Sequence, residues 1–131
     1  MTTNTICIID DDPIFIFGSK ILLRNNDFAY DFLICQNGKE ALDLIIPLIE
    51  SEQGLPEVIF LDLNMPIMDG WEFLEEFGKL SGKKDVKIYI LSSSVDSRDM
   101  ERASKYNTVN GFIAKPLTDV KIRELAQEIE G

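Results

Sequence analysis

Short runs of apolar residues alternate along the chain with longer segments in which apolar positions recur at helical spacing. This alternation is typical of strand–helix units repeated on a parallel sheet, because such strands are covered by helices on both faces. Five units are predicted, with strands at Ile6–Ile9, Tyr30–Cys35, Val58–Leu61, Val86–Leu91 and Gly111–Ala114. The pattern therefore predicts an α/β fold built on a five-stranded parallel sheet.

The first two helices are marked by capping residues. Asp12 precedes Pro13, which suits the first helical position, and Asn37 precedes Glu40 at capping-box spacing. Pro47 is expected to kink or shorten the second helix, since proline lacks a backbone donor. The spacing places Ile14, Phe17, Ile21 and Leu22 on one apolar face of the first helix.

The last three helices differ in how clearly they are patterned. Asp69 and Glu72 have capping-box spacing before a helix over about 70–77. The segment over about 96–106 has the weakest apolar face, which indicates exposure. The final helix is predicted to bury an apolar stripe made of Val120, Ile122, Leu125, Ala126 and Ile129.

Length and composition are those of one ordinary domain. The 131 residues are 45% apolar, enough for one core, so a single domain over residues 1–131 is expected. Apolar stretches fall short of the roughly 20 residues of a membrane helix, and no export signal is visible, so a cytoplasmic location is expected. Cys7 and Cys35 lie inside apolar runs, which indicates reduced core thiols.

The net charge of -10 narrows the classes of partner. It disfavours direct binding to nucleic acid, because neutralising phosphates requires clustered Lys and Arg. It is compatible with a cation site or with a basic protein partner.

Polar residues follow four of the five predicted strands. Because ligands of open α/β sheets bind at the carboxyl ends of strands, this edge is the expected site. The residues at these ends are Asp10 and Asp11, Asp62, Ser92 and Lys115. Three carboxylates at one edge repel each other unless a cation or a raised pKa relieves the repulsion. Mg²⁺ suits a site with few carboxylates and room for a phosphate oxygen.

The remaining two residues suit an aspartyl phosphate. Lys115 offers a compact positive charge for an anion at Asp62, and Ser92 offers a hydroxyl donor. Asp carboxylates are competent nucleophiles toward phosphoryl groups, and catalysis in such transfers consists mostly of positioning and charge neutralisation. The sequence has no His, and this chemistry needs no dedicated base.

Five short motifs in this order resemble the receiver domain of two-component response regulators. They are Ile8–Pro13, Leu61–Pro66, Met68–Gly70, Leu91–Ser93 and Ala114–Pro116, and the resemblance spans essentially the whole chain. It implies a doubly wound (βα)5, flavodoxin-like sandwich with sheet order 2-1-3-4-5. It also implies a stand-alone receiver similar to the chemotaxis receivers.

The resemblance also implies roles for individual residues. Asp62 matches the phosphoacceptor, which takes a phosphoryl group from a phosphohistidine of a sensor histidine kinase or phosphotransfer protein. Asp11 and Asp62 would hold Mg²⁺ through their carboxylates, Asn64 through its main-chain carbonyl and Asp10 through water. Lys115 matches the lysine that pairs with the phosphate.

A switch is implied as well. Ser92 matches the switch hydroxyl, where Thr is commoner, and Phe112 matches the aromatic rotamer partner, which is frequently Tyr. Since Phe has no hydroxyl, burial alone would drive its two states. The bond between Lys115 and Pro116 would be cis.

Several of the residues named above also have purely structural interpretations. These are a helix cap for Asp12 and Asp69, a strand-end cap for Asp10, a polar serine loop for Ser92, a solvated surface position for Lys115 and a core position for Phe112.

The expected function is a signalling switch, not an enzyme. Phosphorylation would change the face formed by the fourth helix, fifth strand and fifth helix, which would meet a downstream protein target. The protein is expected to be a monomer or weak dimer with no nucleic acid or membrane partner. A phosphatase of the haloacid-dehalogenase type is one alternative, but Asn64 stands where that class needs an Asp. A receiver-like binding module that takes no phosphate is the other.

Overall fold

The computed structural model describes residues 3–83, 85–93 and 96–130, and within them five strands alternate with five helices. The strands are β1 (Thr3–Ile9), β2 (Ala29–Cys35), β3 (Val58–Asp62), β4 (Lys87–Ser92) and β5 (Val109–Ala114). The helices are α1 (Pro13–Asn25), α2 (Gly38–Ser51), α3 (Gly70–Gly78), α4 (Ser97–Ala103) and α5 (Asp119–Glu130). The predicted α/β alternation is confirmed.

The strands form one parallel sheet in the order β2-β1-β3-β4-β5. The chain therefore winds outward in both directions from β1, which confirms the implied flavodoxin-like topology. The register places Ile9 of β1 beside Leu61 of β3 and Ser92 of β4 beside Ala114 of β5. The carboxyl ends of β1, β3, β4 and β5, where the predicted site residues lie, thus meet at one edge of the sheet.

Each face of the sheet carries its own apolar cluster. On one face, α1 and α5 cover residues such as Ile8 and Phe60. On the other face, α2 and α3 cover a cluster that includes Ile9 and Leu61. Strand β3 is buried along its full length, as its apolar run predicts. Cys7 and Cys35 are buried free thiols in the second cluster.

Most of the apolar face predicted for α1 is exposed, and a different side of the helix is buried. Ile14 and Phe17 are 82% and 68% exposed, and the residues buried along the helix are Ile16, Ser19 and Leu23. The apolar residues of this helix lie on almost every side of its axis, so helical spacing is compatible with more than one buried face. Contacts of α1 with β2 and with the apolar cluster on its face of the sheet decide which side of the helix is buried.

Smaller corrections concern α2, α4 and α5. Helix α2 continues through Pro47 to Ser51, so the proline does not shorten it. Helix α4 is shorter than predicted, and Ala103 is its buried residue, which agrees with the predicted exposure. Val120 is 54% exposed because it lies on the opposite side of α5 from Ile122 and Leu125, which are buried as predicted.

Asp69 and Glu72 form the predicted capping box at the start of α3. The Asp69 carboxylate accepts the backbone N–H of Glu72 at 2.9 Å, and the Glu72 carboxylate accepts that of Asp69 at 3.2 Å. Asp69→Ala should therefore lower the free energy of unfolding by about 1 kcal/mol, because it leaves a helix donor unpaired. Urea unfolding would measure the loss. Asp69→Ser, which retains a capping oxygen, should recover most of it, and equal losses would contradict the capping explanation.

No helix within the described residues has both the length and the apolar character needed to cross a membrane.

Candidate functional site

Three carboxylates converge where β1 and β3 end. Asp10 and Asp11 directly follow β1, and Asp62 is the last residue of β3. Parallel pairing of these two neighbouring strands brings their ends together. One carboxylate oxygen from each of the three residues lies within 4.8 Å of the others. The group matches the predicted cluster and offers the hard oxygen ligands that Mg²⁺ prefers.

Hydrogen bonds with backbone groups hold both the carboxylate and the main chain of Asp10 in place. It is buried, and its Oδ1 accepts the backbone N–H of Asp12 at 2.9 Å. Its own N–H donates to the carbonyl of Cys35 at 2.9 Å. Asp12 in turn caps α1 by accepting the N–H groups of Ile14 and Phe15. Asp12 is therefore a helix cap, which was its structural alternative, whereas Asp10 belongs to the carboxylate cluster.

Lys115 reaches the cluster from the end of β5. Its Nζ lies 2.7 Å from Asp10 Oδ2 and 3.6 Å from Asp62 Oδ1. The side chain is 17% exposed, so the solvated alternative is wrong. The backbone N–H of Lys115 donates to the carbonyl of Ser92 at 2.9 Å, and the peptide bond to Pro116 is cis, as the resemblance implied.

The surroundings of Asp62 disfavour its ionised form. Burial raises the pKa of Asp62, and the negative charge of Asp10 raises it further. The positive charge of Lys115 and a hydrogen bond from the Asn64 backbone lower this pKa, but the net shift is upward. A bound cation would favour the carboxylate that the fold alone disfavours.

In the absence of divalent cations, stability should rise as the pH falls through the raised pKa of Asp62 toward the ordinary carboxyl value of about 4. The native protein takes up this proton at a higher pH than the unfolded chain, so protonation favours the native state. Urea unfolding in EDTA, compared between wild type and Asp62→Asn, isolates this contribution. The stability of the wild type relative to the variant should increase toward low pH, and a constant difference would contradict the shift.

The loop after β3 closes tightly against the site. The N–H of Gly70 donates to the carbonyl of Leu63 at 3.0 Å. A Cβ on Gly70 would lie 2.6 Å from the Asp62 carbonyl oxygen and 2.8 Å from the Leu63 Cα. Only glycine allows this approach of backbone to backbone. The motif that contains Gly70 was visible in the sequence, but this steric requirement was not.

The two predicted switch residues lie on the adjacent strands β4 and β5. Ser92 is 2% exposed and ends β4, so it is not part of a polar loop, although the second of the serines that follow it lies outside the described residues. Phe112 is half-buried on β5 and packs against the α2–α3 side of the core. It borders two grooves, one of about 400 Å³ between β5 and α5 and one of about 270 Å³ between α4 and β5.

Sequence reasoning missed Phe15, whose ring centroid lies 4.3 Å from the Nζ of Lys115. Nothing in the sequence separates this residue from the other apolar residues of α1. Its contact with Lys115 joins opposite ends of the chain, so local spacing cannot reveal it.

Comparisons with known proteins agree with this geometry. The family model of the response regulator receiver domain matches residues 6–127. The chain is 27% identical over 130 residues to sporulation initiation phosphotransferase F of Bacillus subtilis, covering 98% of this chain and 94% of that protein. The crystal structure of a two component response regulator from Cytophaga hutchinsonii superposes with a TM-score of 0.88 at 26% identity, covering 99% and 98% of the two chains.

A further relative is longer than this chain. The probable methanogenesis regulatory protein FilR2 of Methanothrix harundinacea is 30% identical over 95 residues, a match that covers 72% of this chain and 61% of FilR2. The similarity therefore concerns one part of that regulator.

Proposed function

Because the chain belongs to the response regulator receiver family, we propose that Asp62 accepts a phosphoryl group from a phosphohistidine of a sensor histidine kinase or phosphotransfer protein. The observation that carries the proposal is the contact of Lys115 with both Asp10 and Asp62 inside a cluster of three carboxylates. A partly buried lysine beside a nucleophilic carboxylate is suited to an anion that forms there.

The transfer is an in-line displacement. An Asp62 carboxylate oxygen forms a bond to phosphorus as the phosphorus–nitrogen bond of the donor breaks. The electron pair of that bond stays on the ring nitrogen, and a donor histidine whose other nitrogen carries a proton leaves as neutral imidazole. Lys115 pairs with the transferred oxygens, and the Ser92 hydroxyl donates to one of them.

The donor set fits Mg²⁺. Asp11 and Asp62 would bind it through their carboxylates, Asn64 through its main-chain carbonyl and Asp10 through water. When bound, the ion neutralises charge on the transferred oxygens. The cluster supports this assignment because it holds three carboxylates against one lysine, an excess of negative charge that a divalent cation balances.

Phosphorylation would act on a downstream protein through Ser92 and Phe112. Drawing the Ser92 hydroxyl toward the phosphoryl group frees space next to β5, and Phe112 turns into it. Phe112 borders both grooves of the α4–β5–α5 face, so its rotation would reshape that face for a protein target. The protein would promote only the phosphorylation and dephosphorylation of its own Asp62, and we infer no activity on other substrates.

The test is phosphorylation by acetyl phosphate, read by intact mass. With Mg²⁺ the protein should gain one phosphoryl group that alkali removes, and EDTA should prevent the gain. Borohydride reduces an aspartyl phosphate to homoserine, so peptide mapping after reduction should place the modification at Asp62. A folded protein that gains no adduct from acetyl phosphate or from a phosphorylated histidine-containing protein would overturn the proposal and favour a binding module that takes no phosphate.

A further inference from the structure

The ammonium group of Lys115 lies between charged and aromatic neighbours. Two carboxylates contact it, with Asp10 Oδ2 at 2.7 Å and Asp62 Oδ1 at 3.6 Å. The ring of Phe15 approaches it as well, with the ring centroid 4.3 Å from Nζ. A cation at this distance from an aromatic ring is attracted by the electron density of the ring, most strongly where water is excluded.

We infer that Phe15 is a positioning residue that holds Lys115 toward the phosphoacceptor Asp62. A lysine side chain has four flexible carbons, and its ammonium prefers to be hydrated. The Phe15 ring offers the ammonium a favourable contact on a side where water would otherwise compete. This limits the positions of Nζ and keeps it near the oxygen at which charge develops. The inference rests on the proposed function for its effect on rate.

The position of Phe15 is itself well defined. It lies in the first turn of α1, where the Asp12 carboxylate accepts its backbone N–H at 3.3 Å. Its side chain packs against the α1–α5 side of the core. The same Asp12 donates its N–H to Asp10, the main ion-pair partner of Lys115. One helix start therefore fixes both the ring and the carboxylate that contact the ammonium.

Phe15 can be changed without opening a cavity in the core. It is half-buried and borders an open surface groove of about 200 Å³, lined also by Ile14, Gly18, Leu22, Pro116 and Leu117. Leucine at this position would keep the apolar contact with α1 and remove the aromatic face. The variant therefore separates the ring from general packing.

The experiment compares the rate of adduct formation from acetyl phosphate in Phe15→Leu, Phe15→Tyr and wild type. Phe15→Leu should be about threefold to tenfold slower, and Phe15→Tyr should be near wild type because it keeps the ring. Phe17→Leu is the matched control, since Phe17 lies on the same helix and is 68% exposed. A folded Phe15→Leu protein that reacts at the wild-type rate would overturn the inference.

A second comparison asks whether Phe15 acts through Lys115. In a Lys115→Ala background the Phe15→Leu change should have no further effect on rate, because the group that it positions is gone. If Phe15→Leu lowers the rate of adduct formation by the same factor in both backgrounds, Phe15 does not act through Lys115 and the inference is overturned.

Nuclear magnetic resonance tests the contact without any phosphoryl transfer. The ring should shift the ε-methylene protons of Lys115 upfield in wild type and in Phe15→Tyr, and this shift should disappear in Phe15→Leu. If the shift behaves in this way but no adduct forms in any protein, the proposed function fails while the contact stands. If the shift is absent in wild type, the inference fails whether or not Asp62 is phosphorylated.

Discussion

Asp62→Asn is expected to abolish the alkali-labile phosphoryl adduct completely. The amide oxygen of Asn is a poor nucleophile, and the variant loses the negative charge that lies beside Lys115 and that would help to bind a divalent cation. Asp10 and Asp11 remain in the variant but are not expected to substitute for Asp62. Asp10 is held by Lys115 at 2.7 Å and by the Asp12 N–H, and Asp11 is exposed. Intact mass after incubation with acetyl phosphate and Mg²⁺ measures the loss.

The same substitution should stabilise the protein when no divalent cation is present. Burial and the nearby charge of Asp10 disfavour the Asp62 carboxylate, as the raised pKa of Asp62 indicates, and a neutral amide avoids both effects. The gain is expected to be about 1 kcal/mol in urea unfolding near neutral pH, typical of substitutions that relieve an unfavourable functional site. Added Mg²⁺ should stabilise wild type more than the variant, because the variant offers one carboxylate fewer.

Asp31→Asn is the matched control for the loss of the adduct and for the changed response to Mg²⁺. Asp31 is an exposed carboxylate on the edge strand β2, so this change removes the same charge away from the site. It should leave adduct formation and the Mg²⁺ response unchanged. An adduct that persists in Asp62→Asn, or a Mg²⁺ response equal to that of wild type, would contradict the assignment of Asp62.

Gly70→Ala is expected to lower the free energy of unfolding by about 2 to 3 kcal/mol. The new Cβ would lie 2.6 Å from the Asp62 carbonyl oxygen and 2.8 Å from the Leu63 Cα, and both are backbone atoms that cannot turn aside. To relieve this steric clash, α3 must move away from the end of β3, and that movement also shifts the loop that carries Asn64. Phosphorylation from acetyl phosphate should therefore slow together with the loss of stability.

Gly78→Ala provides the comparison at the other end of α3. Beyond its chain neighbours and the backbone of its own helix, a Cβ on Gly78 would meet no described atom within 4 Å, so alanine should be neutral or stabilising by up to about 1 kcal/mol. Urea unfolding of the two variants separates the steric effect at Gly70 from the general effect of removing a glycine. Equal stability of Gly70→Ala and Gly78→Ala would show that the loop tolerates the extra carbon.

The strands and most helix starts could be predicted because their signals are local. The apolar run of β3 is buried throughout, and the capping box of Asp69 and Glu72 forms as its spacing indicates. The register of short parallel strands then brought Asp62 next to the acidic pair. The family resemblance supplied the sheet order, which alternation alone leaves open, and it also supplied the roles assigned to the site residues.

Helix α1 shows where local pattern is insufficient. Its apolar residues occur on nearly every side, and the face that the spacing of Ile14, Phe17 and Ile21 indicated is in fact largely exposed. Which side of an apolar helix is buried depends on how it docks on the sheet, and the cluster that α1 joins includes residues distant in sequence, such as Phe60 and Leu125. Val120 was also assigned to a buried stripe, but it lies on the opposite side of α5 from Ile122 and Leu125 and is exposed.

The sequence by itself determined the alternation of strands and helices, the helix caps and the residue types at the strand ends, because each depends on neighbours within a few positions. Only the tertiary structure decided the distances of Lys115 to Asp10 and Asp62, the raised pKa of Asp62, the contact of Phe15 with Lys115 and the steric need for glycine at position 70. These features join residues from separate strands and helices. They exist only after packing has excluded water and fixed those elements against one another.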